Sequence, residues 1–230
     1  MRATVDLSLF LPNLESGMDI VTPGKRLARE ITESWVRHCG SQAPVVTTPR
    51  VTTVDSWLER AWLQAVEAGR LPPLRLLTPQ QDLAVWQQLI RDDLDERLGF
   101  SLTHPRAAAQ RAQAALNKLV SHGGNELSDL WSAFQYDEDC QIFSDWARRH
   151  RSRLDELGGI SRFGAYQQLL SVSATERPSV GLFAVPKLPP LTLRTLHHLA
   201  DVHLIEPRRH NHIQIPVQSF ASRDDELYAA

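Results

Sequence analysis

The chain has 230 residues, of which 42% are hydrophobic and 23% charged, and its formal net charge is −2. That length buries a sizeable core as one large or two small domains, and that composition excludes wholesale disorder. The near-neutral balance gives no global pull toward nucleic acid, so any such contact needs a local basic patch.

Lysine occurs only at Lys25, Lys118 and Lys187, and the remaining positive charge is arginine. Cys39 and Cys140 form neither a zinc-type pair nor a disulfide framework, which points to a reducing cytosol and a cytoplasmic home. No apolar run approaches the roughly 20 residues that span a bilayer. The N-terminal MRATVDLSLFLP has one arginine and a short apolar stretch broken by Asp6 and Pro12, unlike a signal peptide.

In chain order, residues 1–77 read as the first part of an α/β core. Ile20-Val21 end a short strand, and a helix follows from about Lys25 with Leu27, Ile31 and Trp35 on one apolar stripe. PVVTTPRVTTV is extended, and a second helix starts near Asp55, carrying Trp57, Leu58, Ala61, Trp62 and Ala65 inward. Thr52-x-x-Asp55 has the capping-box pattern that marks its start. Residues 78–178 read as an all-helical insertion. Leu83, Trp86, Leu89, Ile90 and Leu94 share one helix face, and the Ala-rich helix after Pro105 stops at Gly123-Gly124. NELSDLWSAF, DCQIFSDWARRHRSRLDELGG and RFGAYQQLLSV are further amphipathic segments. Residues 179–230 return to α/β, with strands at VGLFAV, VHLIEP and HIQIPVQSF and a helix at PLTLRTLHHLA. SRDDELYAA opens another helix at the end of the sequence, so the chain reads as a piece of a longer protein.

The Gly24-Lys25 pair raises the question of a nucleotide-binding loop. In G-x-x-x-x-G-K-[ST] the first glycine would be Asp19 and the Mg²⁺-holding hydroxyl would be Arg26, so both essential positions are wrong. VGLFAV runs into Val185-Pro186-Lys187 and offers no Walker-B acid. A PD-(D/E)-x-K nuclease needs an acid two residues before a lysine, where this chain has Pro23, Leu116 and Val185. The histidines 197, 198, 203, 210 and 212 lack metal-site spacing, and neither G-x-S-x-G nor H-E-x-x-H occurs. No catalytic residue, metal or cofactor is therefore expected. The basic residues at the start of the first long helix are unusual. Lys25, Arg26 and Arg29 crowd a helix start, where the macrodipole favours anions. Two readings stay open: Arg26–Glu30 and Arg29–Glu33 are i,i+4 pairs on a solvated face, or the cations and free amides grip a nucleic-acid phosphate.

The order of strand, TPGKRLARE helix, PRVTTVDSWLERAW, helical insertion and VGLFAVPKLPPLTLRTLHHLADVHLIEP resembles the N-terminal helicase-like part of AddB/RecB-type DNA-repair proteins. Those large chains end in a PD-(D/E)-x-K nuclease domain. Thr22, Lys25, Ala28 and Glu30 fall approximately on motif Ia of UvrD-like superfamily 1 helicases, and Thr53, Ser56 and Trp57 on motif Ib. Both motifs contact single-stranded DNA in that family. The resemblance implies a mostly parallel P-loop-helicase-type sheet interrupted by helices, with the ATP site lost, as is typical of the AddB-like branch. It implies single-stranded DNA contact through Thr22, Lys25, Thr53, Ser56 and Trp57, to which the basic helix start adds Arg26 and Arg29 as candidates, and as partners the rest of a longer chain or a helicase/nuclease subunit. The rival reading is a protein–protein scaffold without DNA contact. A small hydrolase using the C-terminal histidines is a third. On the loop chemistry alone, the protein is expected neither to bind ATP saturably at micromolar levels nor to hydrolyse it with magnesium. Equilibrium binding and a turnover assay against a no-protein control check this.

Overall fold

The computed structural model describes residues 6–40, 47–96, 104–123, 134–173, 176–185 and 187–206. Strand β1 (Asp19–Thr22) is buried along its whole length. Its alternating side chains are all covered because helices lie on both faces of the sheet, the usual situation for parallel strands. A short helix α1 (Leu11–Glu15) precedes β1, and α2 (Lys25–Gly40) leads to β2 (Val51–Thr53). Helix α3 (Val54–Glu67) then leads to a two-residue strand β3 (Arg75–Leu76). Helices α4 (Pro79–Glu96), α5 (Pro105–Gly123) and α6 (Glu138–Glu156) form a helical lobe. The chain returns through β4 (Gly159–Ile160), α7 (Arg162–Leu169), β5 (Ser179–Phe183), α8 (Pro190–Leu199) and β6 (Asp201–Ile205).

The main sheet has the order β2-β1-β5-β6, and every neighbouring pair is parallel. Ile20 aligns with Val51 on one side and Gly181 on the other. Period-two alternation then sorts the strand residues between two cores. Ile20 packs with Phe10, Leu14 and Ile31 under α1 and α2, joined by Val51, Phe183 and Ile205. Val21, Val180 and Leu182 face the other way, against Leu58 and Trp62 of α3, Leu169 of α7 and Leu196 of α8. α2 and α8 thus cover opposite faces. That follows from two right-handed crossovers running in opposite directions from the middle of the sheet.

The expected parallel α/β sheet is present, with strands at each expected place within the described residues. The strand expected near residue 215, the helix at SRDDELYAA and most of NELSDLWSAF lie outside them. Two details differ from the sequence reading. The insertion contains β4, which pairs in parallel with β3, Arg75 aligning with Gly159 and Leu76 with Ile160. Two residues are too short to show a period, so sequence pattern could not reveal them. The cap of α3 is Thr53 and not Thr52: its side-chain oxygen accepts from the Ser56 amide.

The helical lobe has its own core of Trp86, Ile90, Ala109, Ala112, Trp146 and Ala147. Small alanines let α5 approach closely, while the two indoles fill the space between helices. Two buried carboxylates of α4 tie it to α6. Asp93 accepts from the Trp146 indole (2.8 Å) and from Arg149 (2.7 Å). Asp82 meets His150 at 3.0 Å and accepts from Gln113 of α5 at 2.6 Å, while the His150 ring stacks on Trp86 with centroids 4.3 Å apart.

At the end of β5, Ala184 has φ +51°, a left-handed conformation that costs a residue with a Cβ about 1–2 kcal/mol. Ala184→Gly is expected to raise stability by about 0.5–1 kcal/mol, since relief of strain exceeds the added chain entropy. Urea denaturation of the two proteins checks this.

Candidate nucleic-acid interface

In an open parallel sheet, ligands bind outside the carboxyl ends of the strands where the strand order reverses. Here the order reverses between β1 and β5, because the chain moves from β1 outward to β2 and later from β5 outward to β6. The mouth of that reversal is formed by Thr22-Pro23-Gly24-Lys25 on one side and the turn at Ala184 on the other. The basic turn singled out from sequence therefore stands at the edge where this architecture places its sites.

The seven sequence-predicted residues divide sharply. Lys25, Arg26 and Arg29 are exposed on the first turns of α2, which carry no acidic residue in the first turn. Arg26 reaches Glu30 at 3.1 Å and Arg29 reaches Glu33 at 2.6 Å, so both i,i+4 pairs form. The two arginine side chains nevertheless remain 89% and 81% exposed. Exposed pairs of this kind are worth only about 0.3–0.5 kcal/mol, so a phosphate can compete for either guanidinium.

Thr22 is fully buried, and its hydroxyl donates within the protein, to Gly24 O (3.1 Å) and to Thr52 O (3.3 Å). It shapes the loop that presents the cations and offers no surface to a strand. Trp57, which the motif likeness assigns to DNA contact, is also buried, and its indole N–H is donated to Asp19 at 2.9 Å. Thr53 and Ser56 are half-buried and bonded to each other, the Thr53 hydroxyl donating to Ser56 Oγ at 3.0 Å. Of the other tryptophans, Trp62, Trp86 and Trp146 are buried, Trp35 donates to Thr47 O at 3.0 Å, and Trp131 lies outside the described residues.

Sequence reasoning missed the group beside Thr53 and Ser56. Asp55, in the first turn of α3, accepts from Arg162 (2.8 Å) and from the Tyr166 hydroxyl (3.0 Å). This ties the start of α3 to α7, more than a hundred residues later. The capping pattern flagged Asp55, but nothing local could name partners so distant. Burial and the Asp55 charge together push the Tyr166 phenol well above its ordinary value.

Among the described residues no group of three or more His, Cys, Asp or Glu side chains could hold a metal ion. His210 and His212 lie outside them. Cys39 and Cys140 are free. No described helix is long and apolar enough to cross a membrane. No protein-family model matches the chain, and no curated protein is significantly similar to it in sequence.

A phenol whose ionisation is raised on folding stabilises the fold below its unfolded value of 10.0, and that contribution is lost as the pH rises beyond it. Tyr166→Phe is expected to cost about 1–2 kcal/mol at neutral pH, the loss of a hydrogen bond to a carboxylate. It is also expected to flatten the fall in stability above about pH 10 relative to the parent protein. Urea denaturation at neutral and alkaline pH measures both effects.

Proposed function

We propose that this chain is a catalytically inactive, helicase-like module of a DNA-repair protein, and that it holds single-stranded DNA along the carboxyl edge of its sheet. The carrying observation is the cluster of Lys25, Arg26 and Arg29, exposed on a helix start at the point where the strand order reverses. Helix-start amides and guanidiniums together suit phosphate oxygens. Thr22, Thr53 and Ser56 act in this reading as supports that fix the two loops, and Trp57 anchors α3 beneath them.

In this reading ATP chemistry belongs to the rest of a longer chain or to a cytoplasmic helicase/nuclease partner, and the lack of P-loop and Walker-B residues in this sequence supports it. The likeness in motif order to the AddB/RecB-type proteins supports that assignment, including the helicase-type core. The rival reading, a protein–protein scaffold without DNA contact, is favoured by one observation. Arg26 and Arg29 each already have a glutamate partner one turn on.

Reversing both charges, Arg26→Glu with Arg29→Glu, separates the two readings. Single-stranded DNA binding at low salt is expected to weaken, and the slope of log K against log salt to fall by about 0.7 for each phosphate no longer neutralised. The fold is expected to hold, because Ile31 and the half-buried Leu27 and Trp35 pack on the other side of α2. Unchanged affinity and slope, or no binding by the parent protein at about 50 mM salt, gives the scaffold reading instead.

A further inference from the structure

The helical lobe and the α/β part are packed as two bodies. Trp86, Ile90 and Trp146 belong to one buried cluster and Leu58, Trp62 and Leu169 to the other, and the two clusters share no buried residue. α5 touches both, since Leu116 packs against the lobe's cluster and Val120, one turn on, against the other.

Beside that contact lies a cleft of about 730 Å³, with α5 and α6 of the lobe on one side and β4 and α7 on the other. Leu116, Val120 and Leu154 line it from the lobe, and Ile160, Gly164 and Gln168 from the α/β part. Protein interiors hold few voids larger than a water molecule. A gap of this size therefore marks a junction whose two walls are not packed on each other, while each body is well packed within itself.

The connection between the bodies is slight. The chain enters the lobe through Pro72-Pro73 and β3, and leaves it through Gly158-Gly159 and β4. Backbone hydrogen bonds from the Arg75 amide to Gly158 O (2.8 Å) and from the Leu77 amide to Ile160 O (3.0 Å) hold these strands together. Gly158 has φ +58°, a left-handed conformation that glycine adopts without steric cost. Hinges are a few residues at the ends of elements that absorb a change of φ and ψ. Such residues flank a ladder only two residues long on each strand.

We propose that the lobe is a hinged lid that swings about β3 and β4 and closes the cleft onto α7. β4 runs into α7, whose Arg162 reaches Asp55 in the first turn of α3, just past the carboxyl end of β2. The swing therefore moves the lobe relative to the sheet edge that carries the basic turn. The motion belongs to the fold and does not depend on DNA binding.

Spin-label distance measurements on the whole chain test it, with Cys39 and Cys140 replaced by serine. Labels attached at Arg151→Cys and Ser171→Cys, exposed positions on opposite walls of the cleft, read its width. Labels at Arg111→Cys and Arg151→Cys, exposed on α5 and α6, read the lobe by itself. The cleft pair is expected to give a distance distribution at least about twice as wide as the lobe pair, including a shorter population for the closed form. Gln168→Trp adds bulk inside the cleft and is expected to remove that shorter population while the lobe pair stays unchanged. A cleft distribution as narrow as that of the lobe pair overturns the proposal, whether or not the tryptophan variant folds. A shorter population that persists in Gln168→Trp, folded by circular dichroism, overturns it as well.

Discussion

Everything in this fold hangs on β1 being hydrogen-bonded on both sides. Its partners are β2, about thirty residues later, and β5, on the far side of the whole helical lobe. Closing so long a loop costs conformational entropy, although that cost grows only slowly with loop length. What offsets it is apolar burial on both faces of a strand of four residues. Ile20 and Val21 are both fully buried, one in each core. The insertion of a lobe between paired strands is therefore tolerable as long as the lobe returns its chain ends close together. β3 and β4 meet just where the lobe leaves and rejoins, and α7 then packs into the same core as α3 and α8.

A second pattern runs through the molecule. Asp19, Asp55, Asp82 and Asp93 each receive an aromatic or imidazole partner from a distant element: Trp57, Tyr166, His150 and Trp146. Carboxylates are strong acceptors, and for the three buried ones, Asp19, Asp82 and Asp93, losing such a partner is costly. Aromatic side chains are suited to the other half, since they bury a large apolar body and still deliver one N–H or O–H. These pairs fix the angle between elements more sharply than hydrophobic contact does. Asp82 and Asp93 lock α6 onto α4, and Asp55 locks α7 onto the start of α3.

The candidate interface is simpler than the motif likeness implies. Of the seven candidate residues, Lys25, Arg26 and Arg29 are exposed, while Thr22, Thr53, Ser56 and Trp57 make hydrogen bonds within the protein. That division has a physical basis. A threonine at the end of a buried strand has unsatisfied backbone groups nearby, and its hydroxyl is drawn to them. A long cationic side chain on the first turn of a helix has no such partner in the core.

The sequence by itself determined the alternation of elements, the sheet residues at 20, 51, 182 and 204, and the inward stripes of α2, α3 and α4, because burial imposes periods of 2 and 3.6 on apolar side chains. It also placed the basic turn at a strand–helix junction and ruled out a P-loop, since both are matters of residue identity at short spacing. Only the tertiary structure decided the order β2-β1-β5-β6, the pairing of β3 with β4, and which residues of the basic turn's neighbourhood remain exposed. It alone brought Arg162 and Tyr166 to Asp55, and the Trp57 indole to Asp19. Those outcomes depend on which surfaces meet across more than thirty residues of chain. A local pattern records that a side chain must be buried, but not what it is buried against.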